Sequence, residues 1–312
     1  MTRGGLALPV LIPLLACAPA SVRPPEPPSA SSPYSRGTHL VLLGTGTPNA
    51  EPDRSGPASA VIVDGTPYLV DAGPGVVRQA TEAARRGITA LEPSRLDRVF
   101  LTHLHSDHTV GLPDLILTPW VLERERPLEV FGPAGTAEMV RHLLAAYEAD
   151  IQRRTAGLQP QNATGWRVVA HDIAPGVVYR DSNVTVTAVT VPHEDWPQAF
   201  AYRLESRDRV IVISGDTRPT DALVAACAGC DVLVHEVYSD AGFARRTAEW
   251  QRYHAAAHTS ASALAALASR AQPKVLVLYH QLLWGTSPDE LVAEVRAGYA
   301  GRVVFGTDLA VF

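Results

Sequence analysis

The chain has 312 residues, of which 46% are hydrophobic and 19% are charged, and its formal net charge at pH 7 is −5. This composition is ordinary for a globular protein with a sizeable hydrophobic core. No run of Lys or Arg resembles the basic footprint of a nucleic-acid-binding protein, so the composition argues against a nucleic-acid partner.

The first residues predict an export signal. Arg3 precedes an apolar run from Leu6 to Leu15, and small residues follow, which is the pattern of a secretory signal peptide. The run is too short to span a bilayer, which takes about 20 residues. The segment ending at Cys17 resembles a bacterial lipobox, with cleavage after Ala20 as the alternative. We therefore expect residues 1–17 to be a signal peptide with a lipobox. The protein would lie on the periplasmic side of a bacterial cell envelope, attached to the membrane only by a lipid on Cys17.

The rest of the chain divides into a tether and one domain. Residues 18–37 are rich in Pro, Ser and Ala, a composition that cannot form a core and predicts an extended tether. No linker interrupts residues 38–312. The pattern there predicts strands over His39–Leu43, Ala60–Asp64, Tyr68–Asp71, Arg98–Leu101, Leu128–Phe131, Val184–Val191, Ala199–Glu205, Val210–Ile213, Val232–Val234 and Val275–Leu278. It predicts helices over Val76–Arg86, Thr136–Ala149, Thr220–Ala228, Ser260–Arg270 and Pro288–Gly298. Strands in runs with interspersed helices, occurring twice, predict two sheets packed face to face with helices outside.

One loop carries four candidate metal ligands within six residues. It follows the predicted strand Arg98–Leu101 and contains His103, His105, Asp107 and His108. His103 and His105 are two residues apart, so in extended backbone their side chains point the same way. Asp107 and His108 follow where the chain turns, and they can face a second point nearby. Two imidazoles for one ion and a carboxylate–imidazole pair for another suit zinc.

Three more candidate ligands stand at the ends of later predicted strands. These are His193, Asp216 and His280. Gly215 beside Asp216 allows a close approach of the backbone. One such residue alone would be a weak signal, since a single histidine at a strand end is more often an ordinary polar residue. Together with the four-ligand loop, the three residues indicate one metal centre.

These motifs resemble those of the metallo-β-lactamase superfamily, and specifically of its ribonuclease Z-like branch. The resemblance covers nearly all of residues 39–312. Besides the His-x-His-x-Asp-His loop it rests on Leu43-Gly-Thr-Gly-Thr-Pro48, Asp71-Ala-Gly73, Ser214-Gly-Asp-Thr-Arg-Pro219, Leu233-Val-His-Glu236 and His258-Thr-Ser260. It implies an α/β protein with the four-layer αββα sandwich of the metallo-β-lactamase fold.

The resemblance also implies how the ligands are shared between two ions. It assigns His103, His105 and His193 to one site, Asp107, His108 and His280 to the other, and Asp216 to both. The expected cofactors are two Zn²⁺ ions, with Mn²⁺ or Fe²⁺ as alternatives. Two adjacent ions lower the pKa of a shared water and neutralise an anionic reaction centre. True β-lactamases of this fold do not use a bridging aspartate there, which disfavours antibiotic hydrolysis.

Three residues are candidates for catalysis beyond metal binding. We expect Asp107 to orient the nucleophile as well as to bind metal. Glu236 and His258 resemble the ribonuclease Z-like pair in which the imidazole helps to protonate the leaving oxygen and the carboxylate holds the imidazole. The alternative is structural: Glu236 caps a strand, and His258 caps the helix that starts at Ser260.

The sequence as a whole predicts a metal-dependent hydrolase that acts on ester bonds. We expect a metal-bridging hydroxide to cleave an anionic ester of a small molecule, either a phosphodiester or an aryl sulfate, outside the cytoplasm. No nucleic-acid partner is expected, because the chain carries an export signal. In addition, only residues 194–215 separate His193 from Asp216, too few for an RNA-gripping arm. The alternatives are a lactonase, a ribonuclease Z-type endonuclease, and a lipoprotein that keeps the fold only for binding. A homodimer is compatible with all of them.

Overall fold

The computed structural model describes residue 1, residues 32–159 and residues 161–312. The predicted signal peptide, Cys17 and most of the tether lie outside the described residues, so export and lipid anchoring stay predictions. Ser32–Phe312 forms a compact unit. It includes residues 32–37, which the sequence assigned to the tether, because Tyr34 packs against the core. A large aromatic side chain in this segment has apolar surface to bury, and this extends the folded unit beyond the expected start at Thr38.

The helices and strands of this unit alternate along the chain. The strands are β1 (Thr38–Gly44), β2 (Ala58–Val63), β3 (Thr66–Val70), β4 (Arg98–Phe100), β5 (Leu128–Gly132), β6 (Val168–Asp172), β7 (Gly176–Arg180), β8 (Val184–Thr190), β9 (Phe200–Ser206), β10 (Val210–Ile213), β11 (Val232–Tyr238), β12 (Val275–Leu282) and β13 (Val303–Phe305). The α-helices are α1 (Val76–Arg85), α2 (Ser106–Thr109), α3 (Leu112–Val121), α4 (Thr136–Ala146), α5 (Glu148–Ala156), α6 (Asp221–Cys227), α7 (Asp240–Ala244), α8 (Ala248–Ala257), α9 (Ala261–Ala271) and α10 (Pro288–Arg296). Among the described residues, no helix combines the length and apolar character that crossing a membrane requires.

Two mixed sheets pack face to face with helices on both outer sides. The first sheet has the order β1-β2-β3-β4-β5-β6, and the second has the order β13-β12-β11-β10-β9-β8-β7. A buried apolar cluster that includes Phe100, Tyr202 and Ile213 fills the space between the sheets. Each of two further apolar clusters lies between one sheet and the helices packed on its outer face. The predicted four-layer αββα sandwich is therefore confirmed.

Parallel pairing brings the functional strand ends to one edge. Strands β10, β11, β12 and β13 run parallel in the second sheet, and β3, β4, β5 and β6 run parallel in the first. The carboxyl ends of parallel strands lie at the same edge of a sheet, and ligands of open α/β sheets bind there. Residues that follow β4 and β10 can therefore meet those at the end of β12.

Several elements were not predicted from the sequence. Helix α3 contains Pro119 inside its span, and a proline at such a position reads as a helix breaker. Strands β6 and β7 are only partly buried, so they lack the strong apolar alternation that marks a strand. Helix α8 mixes aromatic, charged and alanine residues without a clear apolar stripe. The predicted helix Thr136–Ala149 is two helices, which meet at Tyr147.

Candidate metal centre

Two imidazoles from the loop after β4 meet a third that follows β8. His103 Nε2 lies 3.0 Å from His105 Nδ1. His193, which follows β8, brings its Nε2 to 3.2 Å from the same Nδ1 atom. An oxygen of Asp216 completes this group, in which all four ligand atoms lie within 4.8 Å of one another. We call these four residues the first ligand cluster.

A second ligand cluster lies beside the first and consists of Asp107, His108 and His280. Asp107 Oδ2 is 3.2 Å from His280 Nε2 and 3.5 Å from His108 Nε2. The carboxylate of Asp216 also reaches this cluster, with Oδ1 3.4 Å from His108 Nε2 and Oδ2 3.5 Å from His280 Nε2. The structure thus brings all seven predicted ligands together. Asp216 belongs to the first cluster and also borders the second, so it lies between the two groups of side chains.

The donor atoms of both clusters suit metal ions. His108 Nε2 and Asp216 Oδ1 are buried and have no hydrogen-bond partner among the described residues, an arrangement that is costly unless another group pairs with them. Burial lowers the pKa of His103 well below its ordinary value, and burial also lowers the pKa of His105 and His193. These rings are therefore neutral and keep a free lone pair at neutral pH. Imidazole nitrogens with carboxylate oxygens are ligands that transition metals such as zinc accept.

Hydrogen bonds outside the clusters fix which ring nitrogen faces inward. His108 Nδ1 lies 2.8 Å from Asp71 Oδ2, and His193 Nδ1 donates to the carbonyl of Ala257 at 2.7 Å. Asp71 in turn accepts from the backbone N and the hydroxyl of Thr102. Such outer partners orient metal-binding imidazoles and increase their basicity. Asp71 had no role in the sequence prediction, although its place directly after β3 in Asp71-Ala-Gly73 was a signal.

The backbone near the centre adopts unusual conformations at one candidate ligand, His280, and at Gly215 beside another. His280 does not end its strand as predicted: β12 continues to Leu282, and His280 forms a bulge with φ 45°. A bulge redirects a side chain and is frequent next to active sites. Beside Asp216, a Cβ on Gly215 would lie 2.8 Å from the carbonyl oxygen of Phe200, at φ 60°. Only glycine fits there, as the sequence indicated.

The candidate proton-transfer pair lies beside the clusters. Glu236 is fully buried, its Oε1 accepts from the backbone N of Thr259 at 2.7 Å, and its Oε2 lies 3.4 Å from His258 Nδ1. Burial raises the pKa of Glu236 well above its ordinary value, and the nearby Asp216 carboxylate raises it further. Burial lowers the pKa of His258. The pair can thus hold a proton away from bulk solvent.

The two structural roles expected as the alternative for this pair, a strand cap and a cap of helix α9, are not the ones that the structure shows. Strand β11 continues to Tyr238, so Glu236 does not cap it. Helix α9 is capped by the hydroxyl of Ser260, which accepts from the backbone N of Ala263. His258 makes no such cap hydrogen bond for α9, but it is the C-cap residue of α8, where its backbone N donates to the carbonyl of His254 at 2.9 Å.

A cavity of about 710 Å³ opens onto the centre. One side of it contains Asp107, Asp216 and His280 from the two clusters, together with His258. The rest of the lining includes Glu249, Trp250, Tyr253 and His254 of the unpredicted helix α8, together with Arg246 before it and Trp284 after β12. The sequence therefore predicted the candidate ligands but not this second part of the lining.

Comparison with known proteins places the chain in a family. A family model described as "Beta-lactamase superfamily domain" matches residues 66–281. A ribonuclease Z of Mycobacterium bovis (strain BCG / Pasteur 1173P2) is 33% identical over 275 residues, which cover 86% of this chain and 96% of that protein. The chain belongs to the metallo-β-lactamase superfamily. Within it, the chain falls in the ribonuclease Z-like branch, and it is a metal-dependent hydrolase that acts on ester bonds.

Solved structures agree on the fold. The metallo-β-lactamase fold protein YhfI from Bacillus subtilis superposes with a TM-score of 0.69 at 17% identity, covering 88% of this chain and 98% of that one. The short form of human tRNase Z superposes with a TM-score of 0.67 at 22% identity, again covering 88% of this chain and 98% of that one. At these identities the likeness supports the architecture alone.

The relatives overturn two expectations from the sequence. A small anionic ester was expected as the substrate, and a nucleic-acid partner was not expected; both expectations are wrong, because the matching relatives are ribonuclease Z proteins along nearly their whole length. The physical reason is that net charge over a whole chain says little about one cavity. Likewise, a short segment between His193 and Asp216 excludes an inserted arm there but not a centre that cuts RNA.

Proposed function

We propose that the protein is a ribonuclease Z-type endonuclease that hydrolyses a phosphodiester bond of RNA at this centre. The observation that carries the proposal is the position of Asp216 between two ligand clusters, at the floor of a cavity. The match to ribonuclease Z proteins supports RNA as the substrate class. Phosphodiester hydrolysis needs the developing charge on the phosphoryl oxygens to be stabilised, and paired metal sites do this.

The seven ligands divide into two sets in this proposal. His103, His105 and His193 would hold one ion, and Asp107, His108 and His280 would hold the other. The carboxylate of Asp216 would contact both, and Zn²⁺ fits the mixed nitrogen and oxygen donors best. When bound, such a pair supplies Lewis acidity and a nucleophilic water at neutral pH.

Residues of the chain supply position and protons. Asp107 faces the cavity and its Oδ2 is already paired with His280 Nε2 at 3.2 Å, which leaves Oδ1 to accept a hydrogen bond from the attacking water. His258 also lines the cavity, and Glu236 contacts its Nδ1 side. The Nε2 atom is then the ring nitrogen that can donate a proton to the leaving oxygen. Glu236 acts as a positioning residue, since it reaches the substrate only through His258.

The test is cleavage of RNA by the metal-loaded full-length chain. Structured RNAs with a single-stranded 3′ extension are incubated with the wild-type protein, with Asp216→Ala, and with Asp221→Ala. Asp221 is an exposed carboxylate, 85% accessible, outside both clusters, so its variant serves as a matched control. We expect cleavage at one mapped bond by wild type and Asp221→Ala, and none by Asp216→Ala. If the metal-loaded wild-type protein leaves every RNA intact, the proposal is wrong.

A further inference from the structure

The cavity beside the candidate metal ligands is also lined by a set of packed aromatic rings, which we call the aromatic wall: Trp250, Tyr253, His254 and Trp284. The His254 ring stacks on Trp250 with centroids 5.6 Å apart and an interplanar angle of 23°. On its other side it packs against Trp284, with centroids 4.4 Å apart. Trp284 also contacts the buried Tyr238 at 5.8 Å. These contacts hold the wall in place in the absence of a ligand.

The side chains of the aromatic wall differ in their exposure to solvent. His254 is only 6% exposed, whereas Trp250 is 49% exposed at the cavity rim. Trp250 is the one large apolar side chain of this cavity with such exposure among the described residues. The exposed indole of Trp250 lines the same cavity as the candidate ligands, so it offers a flat surface on which a molecule bound there can pack.

The guanidinium group of Arg246 lies against the aromatic wall. The guanidinium carbon of Arg246 lies 5.4 Å from the ring centroid of Trp250 and 5.4 Å from that of Trp284. The Nε atom of Arg246 has no hydrogen-bond partner within the described residues. Indole faces together with a guanidinium plane are the groups on which proteins stack single-stranded bases. Glu249 also lines the cavity, so this part of the lining offers a nucleotide stacking surfaces rather than a net positive charge.

The wall lies next to the proposed proton donor. The ring centroid of His258 is 5.5 Å from that of His254 and 6.1 Å from that of Tyr253. A nucleotide bound against the wall is therefore adjacent to the residue that serves the leaving oxygen. The volume of about 710 Å³ lies within the range of cavities that enclose small organic ligands, roughly 300–1,000 Å³.

We propose that the aromatic wall stacks the base of the nucleotide that carries the leaving oxygen. This inference rests on the proposed ribonuclease function and adds a substrate subsite to it. Trp250 provides the outer stacking surface and Arg246 provides the guanidinium plane. Any base can stack on an aromatic ring. The subsite should therefore prefer a nucleotide that has a base over an abasic one, whichever base it is.

The experiment uses one RNA whose cleaved bond has been mapped, in three forms. One form is intact, and the other two carry an abasic ribose on either side of the cleaved bond; the hydroxyl-bearing product end identifies the leaving side. For wild type, the abasic change on the leaving side should lower kcat/KM about tenfold, as expected for the loss of one stacked base. The abasic change on the other side should leave kcat/KM within about twofold of the intact RNA.

Variants of Trp250 then test the assignment. Trp250→Ala should reduce the leaving-side ratio of intact to abasic RNA to about one, and Trp250→Phe should retain most of it, because the phenyl ring still stacks. Tyr147→Ala is the matched control, since Tyr147 is an aromatic residue 42% exposed outside this cavity, and it should keep the wild-type ratio. Equal metal content in all proteins is confirmed by elemental analysis.

Each contrary outcome has a distinct meaning. If RNA is cut but wild type shows no preference for the base, or Trp250→Ala slows intact and abasic RNA equally, the subsite is wrong and the ribonuclease function stands. If the preference lies on the other side of the bond, the orientation is wrong and the subsite assignment fails. If no RNA is cut at all, the proposed function fails and the subsite fails with it.

Discussion

Two parts of the cavity lining are built in opposite ways. The ligand side is polar and largely buried, and its residues lie in or just after strands of both sheets. The aromatic wall is partly open to solvent; Trp250, Tyr253 and His254 come from α8, and Trp284 follows β12. The ligand side is tied to the register of two sheets, whereas the wall depends on how α8 packs beside the end of β12. Chemistry and substrate choice can therefore change separately in this molecule.

The largest effect is expected for Asp216→Ala. One carboxylate lies between both clusters, so its removal should lower the occupancy of both metal sites, as measured by elemental analysis. RNA cleavage should fall by more than about 100-fold, the upper range for loss of an outer-shell partner alone. Loss of only one ion from this variant would show that the two clusters do not share Asp216.

The next effect separates proton delivery from metal chemistry. A ribose oxygen is a poor leaving group that needs a proton, whereas nitrophenolate leaves without one. His258→Ala should therefore slow RNA cleavage by about 10²–10⁴-fold, the usual value of general acid catalysis. It should slow a bis(nitrophenyl) phosphate probe far less, at unchanged metal content. Glu236→Gln should follow the same trend more weakly. Equal losses on both substrates would assign His258 to binding instead.

A smaller effect is expected for Asp71, which contacts a candidate ligand but belongs to neither ligand cluster. Asp71 holds His108 Nδ1 at 2.8 Å, and the loss of such a partner typically costs 10–100-fold in metal affinity or activity. Asp71→Ala should show this loss in zinc affinity, measured by competition with a chelator. Asp71→Asn keeps one oxygen acceptor and should lose less. Unchanged zinc affinity in Asp71→Ala would mean that ring orientation at His108 is set elsewhere.

The smallest effect concerns Trp196, at the border of the first ligand cluster. Its Nε1 donates to His105 Nε2 at 2.9 Å. A metal on Nδ1 requires the neutral ring to carry its proton on Nε2, and two N–H donors repel each other. Zinc loading should therefore turn the indole away and change tryptophan fluorescence. The change should disappear in Trp196→Phe, and its persistence there would trace the signal to another tryptophan.

The sequence predicted the ligand side of the cavity better than it predicted the aromatic wall. Seven candidate ligands could be predicted because metal chemistry restricts residue types, and because strand ends are visible as short apolar runs before a polar loop. Asp71 received no role because its hydrogen bond to His108 joins residues far apart in the chain. The bulge at His280 could not be foreseen, since it depends on the register of β12 against β11.

The aromatic wall illustrates what the sequence leaves open. Trp250 and Trp284 come together only because α8 packs beside the end of β12, and the residues of α8 follow no strong helical period. The absence of a basic stretch was read as the absence of RNA. That inference was wrong because the matching relatives are ribonuclease Z proteins, and a count of Lys and Arg does not detect aromatic rings on which bases can stack.

The most direct test of the account is a metal titration of the full-length chain followed by RNA cleavage. Metal-free protein receives zinc in steps, and cleavage of a mapped RNA bond is measured at each step beside the bound zinc. We expect cleavage to rise steeply only as the second ion binds and to reach its maximum at about two ions per chain. Full cleavage at one ion per chain, or no RNA cleavage at any zinc level, would contradict a shared centre that cuts RNA.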